Sequence, residues 1–268
     1  MKRLILVLVA AVALAPVAAS AGASQSRTSA RTDCAKLRAA MGAKAFAKAY
    51  PTFGACVSRY APVEQQVTLS AKATCTAQQA DPNFAATHGG KTFAQFYGTG
   101  KNGSNAFGRC VSIVAKANSK AEQQGRLNPA RTCRALRTQL TRPLFDKTYG
   151  KNRNDRNAFG KCVSVTAKTQ AHNEVSASST CKAEQSDPNF ASTHGGQTFD
   201  QTYGTNADQS NAFGMCVSST AKAASIANQH AIVRAALACK AQQKSDPPAF
   251  KAKYKTFGRC VATLAKSK

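Results

Sequence analysis

The chain has 268 residues, of which 37 are Lys or Arg and 12 are Asp or Glu, and its formal net charge is +25. This excess favours an anionic partner such as nucleic acid, an acidic glycan, a phosphate-rich wall polymer or an anionic lipid surface. Alanine is abundant, Trp is absent and β-branched residues are sparse, so the composition favours an all-α fold and argues against a sheet protein.

The N-terminus has the pattern of a secretory signal peptide. Lys2 and Arg3 precede an apolar run over residues 4–15, and small residues with an Ala-x-Ala cleavage pattern follow. The run is shorter than the ~20 residues that span a bilayer, and no later stretch is apolar enough to do so. We therefore predict a cleaved signal peptide over residues 1–23 and a secreted, extracellular mature protein without a transmembrane segment.

The rest of the chain is an internal repeat of five units. The phrase Phe-Gly-x-Cys-Val occurs five times, and each time a Phe-x-x-x-Tyr phrase and an earlier cysteine precede it. The predicted units are residues 24–60, 61–120, 121–168, 169–224 and 225–268.

Ten cysteines in an exported chain predict a disulfide framework. A helical hairpin of roughly 45–55 residues has too small a core to be stable alone, and a disulfide across it would add about 3–4 kcal/mol. We expect one bond within each unit, in the pairs Cys34–Cys56, Cys75–Cys110, Cys133–Cys162, Cys181–Cys216 and Cys239–Cys260.

Spacing within the units predicts loops and helix starts. Units two, three and four carry seven extra residues, rich in Asn and Gly, between the Tyr and the next Phe. These segments indicate loops. Asn105, Asn157 and Asn211 follow the loops at positions where a helix N-cap is expected.

The sequence of the fifth unit predicts two antiparallel helices joined by one disulfide. Residues 218–244 contain neither Gly nor Pro and favour one long helix, and residues 245–248 predict a turn. Phe250, Tyr254, Phe257, Val261 and Leu264 then follow at helical spacing and form one apolar stripe.

The links between units predict how the units are arranged. Pro62 after unit one, and Gly125 with Pro129 after unit two, indicate bends, whereas the other links favour helices. The fold expected overall is an elongated tandem array of five disulfide-stapled helical hairpins.

No residue set indicates an enzyme, a metal or a cofactor. The repeated aromatics favour core positions, which leaves Phe96 and Tyr60 as candidates for exposed stacking. His88 and His194 each lie in a Thr-His-Gly-Gly phrase, but each lacks a second ligand or an acidic partner at suitable spacing, which favours a helix C-terminus. Disulfide pairing would use every cysteine, and the acidic residues look scattered along the sequence.

Positive charge is unevenly distributed between the units. Between its paired cysteines, unit three carries eight basic residues against two acids and unit five carries six against one, whereas unit four carries one against four. Arg side chains offer forked donors to phosphate and carboxylate groups. The candidate anion-binding residues are Arg134, Arg137, Arg142, Lys147, Lys151, Arg153, Arg156 and Lys161 in unit three, and Lys251, Lys253, Lys255 and Arg259 in unit five.

Three functional hypotheses follow. The first is a secreted, non-catalytic repeat protein that binds an anionic extracellular or cell-envelope polymer through units three and five. The second is a secreted cationic protein that binds nucleic acid or acts on membranes, which the charge permits although no known nucleic-acid motif is present. The third and weakest is a hydrolase that uses the Thr-His-Gly-Gly loops.

Overall fold

The structure, a computed structural model, describes residues 19–151 and 154–267. Most of the predicted signal peptide and Arg153 lie outside these residues. The described residues contain no β-strand, which confirms the predicted all-α class. They form the helices α1 (Ala19–Met41), α2 (Ala43–Ala49), α3 (Phe53–Ala80), α4 (Phe84–Thr87), α5 (Phe93–Tyr97), α6 (Ala106–Gly125), α7 (Pro129–Leu140), α8 (Arg142–Tyr149), α9 (Ala158–Gln185), α10 (Phe190–Thr193), α11 (Phe199–Tyr203), α12 (Ala212–Ser245), α13 (Pro247–Tyr254) and α14 (Phe257–Lys266).

Five disulfides connect the long helices in chain order, and they are the within-unit pairs predicted from the sequence: Cys34–Cys56, Cys75–Cys110, Cys133–Cys162, Cys181–Cys216 and Cys239–Cys260. Each bond joins one long helix to the first turns of a later one. Helices α3, α9 and α12 each carry the second cysteine of one unit and the first cysteine of the next. Three of the four consecutive pairs of units therefore share a helix, and only units two and three are divided, between α6 and α7. The unit boundaries predicted at residues 60, 120, 168 and 224 all lie inside helices.

Threonine is the N-cap residue of several helices. Thr52 and Thr256 accept hydrogen bonds from the backbone N–H groups of Ala55 and Arg259. Thr92 and Thr198 form capping boxes with the Gln three residues later. These bonds satisfy backbone donors that the first turn of a helix leaves free.

The three asparagines predicted as N-caps occupy the cap position but make a different hydrogen bond. The Asn105 side chain accepts from the backbone N–H groups of Thr99 and Gly100, behind it in the chain, and makes no bond to the helix it precedes. Asn157 and Asn211 bond to their loops in the same way. The asparagine therefore closes the inserted loop, because the loop's own amides need an acceptor.

Helix continuity differs from the prediction at two places. Helix α3 continues through Pro62, and Tyr60 and Val63 beside this proline are buried. The apolar stripe of unit five is split between α13 and α14, because Lys255 has φ +62° and leaves the helical region. The bend expected at Gly125 and Pro129 is present between α6 and α7.

The arrangement of the units differs from the predicted elongated array. Residues of units one, three and five, called here the odd units, share one hydrophobic core that includes their three disulfides. Units two and four, the even units, have separate clusters around Cys75–Cys110 and Cys181–Cys216. The long helices fold back on one another because each buries more than one face, so units distant in sequence become neighbours.

The glycine of the Phe-Gly-x-Cys-Val phrase marks the contact between units two places apart. A Cβ at Gly160 in unit three would lie 3.4 Å from the Lys48 side chain of unit one. A Cβ at Gly258 in unit five would lie 3.1 Å from the Thr148 carbonyl oxygen of unit three, and one at Gly214 in unit four would overlap the backbone of Asn118 in unit two. Each unit from the third onward therefore packs against the region of the unit two places before it.

Units one and two have no unit two places before them, and their phrases are open. No atom lies within 4 Å of a Cβ built at Gly108, and the nearest atom at Gly54 is its own neighbour Thr52 at 3.8 Å. Phe53 and Phe107 are 37% exposed, whereas Phe213 and Phe257 are buried. The same sequence phrase is thus a surface feature in two units and a packing contact in the others.

Candidate functional site

The basic candidates predicted from the sequence lie on the surface. In unit three the described side chains are all exposed, and the same holds in unit five. Among them, only Arg142 forms an ion pair, with the Asp146 carboxylate at 3.7 Å, and its own side chain is 83% exposed. Such a pair is weak in water, so these cations remain available to a ligand.

The structure brings the two most basic units together. Helix α8 of unit three packs against α14 of unit five, where Gly258 allows the close approach of the Thr148 carbonyl. The Arg137 guanidinium of unit three also lies 5.7 Å from the centroid of the Phe159 ring, which supports its position. The helices that carry Arg142 and Lys147 in unit three and Arg259 in unit five are therefore neighbours.

An open cleft of about 570 Å³ lies on unit five. Lys253, Lys255 and Arg259, three of the four candidates in this unit, line it. Lys266 adds a fourth cation, and Tyr254 supplies an aromatic wall over which Lys253 lies 5.2 Å from the ring centroid. Among the described residues that line this cleft there is no Asp or Glu, so its charge suits an anionic group.

The histidines have structural surroundings. The His88 ring stacks on Phe84 with centroids 3.7 Å apart, and its Nδ1 lies 2.9 Å from the Phe84 carbonyl oxygen. His194 repeats both contacts with Phe190. Glycines with positive φ follow both histidines, as a helix C-terminus requires. Within the described part of the chain, the polar contacts of both imidazoles are to the preceding Thr hydroxyl and to a Phe carbonyl, not to a carboxylate.

Of the two aromatic residues proposed for exposed stacking, one is on the surface and the other is not. Phe96 is 41% exposed and lies edge-on to His88 at 4.7 Å. Tyr60 is 1% exposed, and its hydroxyl lies 3.1 Å from that of Tyr50. The expectation for Tyr60 was wrong because Tyr60 faces the centre of the molecule, where α1, α3, α6 and α9 meet.

A buried charged network occupies that centre, and sequence reasoning missed it. Arg126, the residue directly after α6, forms ion pairs with Glu122, with Glu174 at 3.1 Å and with Asp33 at 3.8 Å. The side chains of all four are at most 6% exposed. The Arg126 guanidinium also lies 4.0 Å from the centroid of the Tyr60 ring, so that an aromatic face covers it.

Glu64 of α3 is the fifth charged member of the network. Its Oε2 accepts a hydrogen bond of 2.8 Å from Ser119, and its carboxyl group faces that of Asp33. Burial, together with the hydrogen bond to Asp33, raises the pKa of Glu64 to about 9. Burial also raises the pKa of Asp33 and Glu174. Ionised carboxylates this close repel each other, which favours a proton or a cation held between them.

The rim of the network connects it to the surface. Gln123 donates from its amide to Asp33 and accepts a hydrogen bond of 2.9 Å from the Lys36 ammonium. Asp33, Glu64 and Glu122 each offer an oxygen, and these atoms lie within 4.8 Å of one another. Among the described residues, this is the group of acidic, His or Cys side chains whose spacing fits a metal ion.

A signal for the network was present in the sequence. Eight of the twelve acids lie between paired cysteines, and the four that remain are the four that meet: Asp33, Glu64, Glu122 and Glu174. Glu122 and Glu174 also occupy the same repeat position, twelve residues after the second cysteine of their units. The position of these acids, outside the disulfide loops and on Ala-rich helices, therefore indicates a polar centre that several units share.

Comparisons with known proteins add no family to this description. No protein-family model matches the chain, and neither a curated protein nor a solved structure shows significant similarity to it. Among the described residues, none of the helices combines the length and apolarity that crossing a membrane requires. The functional argument therefore depends on the chain's own geometry and charge.

Proposed function

We propose that this protein is a secreted, non-catalytic protein of five disulfide-stapled helical units that binds an anionic extracellular or cell-envelope polymer. Units three and five supply the binding surface, and the cleft beside Lys253, Lys255 and Arg259 is its centre. The ligand is a chain of phosphate, carboxylate or sulfate groups, because such a chain can meet several separated cations at once.

The separation of charge between odd and even units carries this proposal. Within their disulfide loops, the odd units hold eighteen basic and three acidic residues, whereas the even units hold four basic and five acidic ones. Helix α8 of unit three packs against α14 of unit five, so cations from both units are available to one extended polymer. A repeat protein that needed charge only for solubility would have no reason to concentrate it in this way.

The buried network strengthens this surface charge. Four of the twelve acids are buried, and three of them pair with Arg126, so they do not lie among the exposed lysines and arginines. The surface of the odd units consequently has few acids to offset its cations. Binding should release counterions from the polymer, and affinity should fall steeply as salt rises.

Replacement of Lys253, Lys255 and Arg259 by Glu tests the proposal. Binding of the variant and the wild type to heparin, polyphosphate, duplex DNA and anionic vesicles would be measured by titration at several salt concentrations. We expect the variant to lose at least tenfold in affinity for the preferred polymer and to show a shallower salt dependence, because three cationic contacts are reversed.

The matched control reverses three exposed lysines of the even units, Lys91, Lys101 and Lys182, which changes net charge equally. We expect this control to bind nearly as well as the wild type. Equal losses in both variants would mean that only net charge matters, which would refute a site on unit five. Preference for duplex DNA or vesicles over the other polymers would favour the nucleic-acid or membrane alternative.

A further inference from the structure

The carboxyl groups of Asp33, Glu64 and Glu122 come from three different helices and point at one another. Each is 2% exposed, and among the described residues each has one oxygen that accepts no hydrogen bond from an N–H or hydroxyl group: Asp33 Oδ2, Glu64 Oε1 and Glu122 Oε2. The guanidinium of Arg126 approaches Asp33 Oδ2 only to 3.8 Å. Buried polar atoms are normally satisfied, so three unsatisfied acceptors at one point indicate a missing positive partner.

A cavity leads from the surface to two of these carboxyl groups. It has a volume of about 300 Å³, Asp33 and Glu64 lie on its wall, and α1, α3 and α6 surround it. Ser119, Gln123 and Thr68 add neutral oxygen atoms, and Lys36, Lys116 and Lys120 also line it. The cavity is large enough for an ion with several coordinated water molecules.

Glu64 lacks a direct cationic partner among the described residues. Arg126 forms ion pairs with Asp33, Glu122 and Glu174 but not with Glu64, and Lys36 reaches the group only through Gln123. Lys116 and Lys120 line the cavity without forming an ion pair to any of these carboxyl groups within the described part of the chain. A doubly charged ion between Asp33, Glu64 and Glu122 would supply that partner.

We propose that Asp33, Glu64 and Glu122 bind a divalent cation of the oxygen-preferring class, with Ca²⁺ as the best match, at the inner end of this cavity. Their carboxylate oxygens, with water molecules from the cavity, are the ligands that Ca²⁺ takes. Arg126 and Glu174 flank the site and hold Glu122 in position. The ion would join α1, α3 and α6, and would stabilise the contact between odd and even units.

Thermal unfolding of the full mature chain in EDTA and then in Ca²⁺ tests the site. At about a hundredfold excess over Kd, Ca²⁺ should raise Tm by about 5–10 °C for a protein of this size. Glu64→Gln should abolish this rise while the variant stays folded, because the amide keeps the shape of the protonated acid. Titration calorimetry with Ca²⁺ should find one site in the wild type and none in Glu64→Gln.

The matched control is Glu184→Gln, which alters the one glutamate outside the network and should keep the full rise. A rise that persists in Glu64→Gln would place the ion elsewhere and overturn the proposal. No rise in the wild type would overturn it as well, and the Asp33–Glu64 pair would then hold only a proton. The assay contains no polymer, so its outcome is independent of the proposed anion binding.

Discussion

Odd and even units carry the same phrases but use them for different purposes. The apolar residues of the three odd units form one hydrophobic core, and these units carry most of the positive charge. Each even unit forms a smaller hydrophobic cluster of its own. The difference arises because the folded-back helices also bring a unit beside the one two places earlier. A repeat in sequence therefore does not guarantee an equivalent environment for each copy.

The clearest case is a pair of phenylalanines with the same local surroundings. Phe53 and Phe257 both follow a capping Thr, and each lies 6.2 Å from the phenylalanine seven residues before it. Phe257 is 8% exposed because unit three covers it, while Phe53 is 37% exposed. Local structure is thus set by the phrase, and burial is set by the order of the units.

The largest effect should come from the network that joins odd and even units. Arg126 is its only arginine, and replacing it with Met leaves Glu122 and Glu174 buried without their cation. Removing one partner of a buried ion pair costs about 3–5 kcal/mol. We expect Arg126→Met to lower the free energy of unfolding by this amount in urea denaturation, measured in EDTA.

The control for this prediction is Arg131→Met, at an exposed position of α7. It should change the free energy of unfolding by less than about 0.5 kcal/mol. A similar stability for both variants would show that the network does not hold the two sets of units together.

Much of the local structure could be predicted from the sequence. The helical class follows from an Ala-rich composition, and the within-unit disulfides follow from ten cysteines that alternate between two positions. The bend between α6 and α7 follows from Gly125 and Pro129. These features depend on nearby residues, for which propensity and spacing are direct evidence.

The relative positions of the units could not be predicted in the same way. Helices α3, α9 and α12 have no single apolar face, because they pack against several partners at once. Polar residues such as Asn118 and Gln170 are buried on the link helices, where they bond to the Gly214 amide and the Leu127 carbonyl of other segments. A hydrophobic pattern alone does not reveal such contacts, although the placement of the four acids outside the disulfide loops was a clue.

A smaller effect should separate the two phenylalanines. Phe257→Ala removes a buried ring from the shared core and should cost about 3 kcal/mol. Phe53→Ala removes a partly exposed ring and should cost about 1 kcal/mol or less. Urea denaturation of both variants measures the difference. Equal costs would mean that the contact between units three and five adds nothing to the burial of Phe257.

The smallest effect, and the most specific, is a change of sign between two glycines of the repeated phrase. Gly108 and Gly214 occupy the third position of α6 and α12, but only Gly214 meets another segment, where its amide donates to the Asn118 side chain at 2.8 Å. Gly108→Ala should stabilise the protein by about 0.5–1 kcal/mol, because Ala favours a helix and the space is open. Gly214→Ala should destabilise it by about 1–3 kcal/mol, because the new Cβ would overlap the Asn118 backbone.

Urea denaturation of the two variants tests this difference in sign. Stabilisation by both substitutions would contradict a close contact between units two and four. The opposite signs would show directly that the phrase needs glycine only where an earlier unit is present to pack against it.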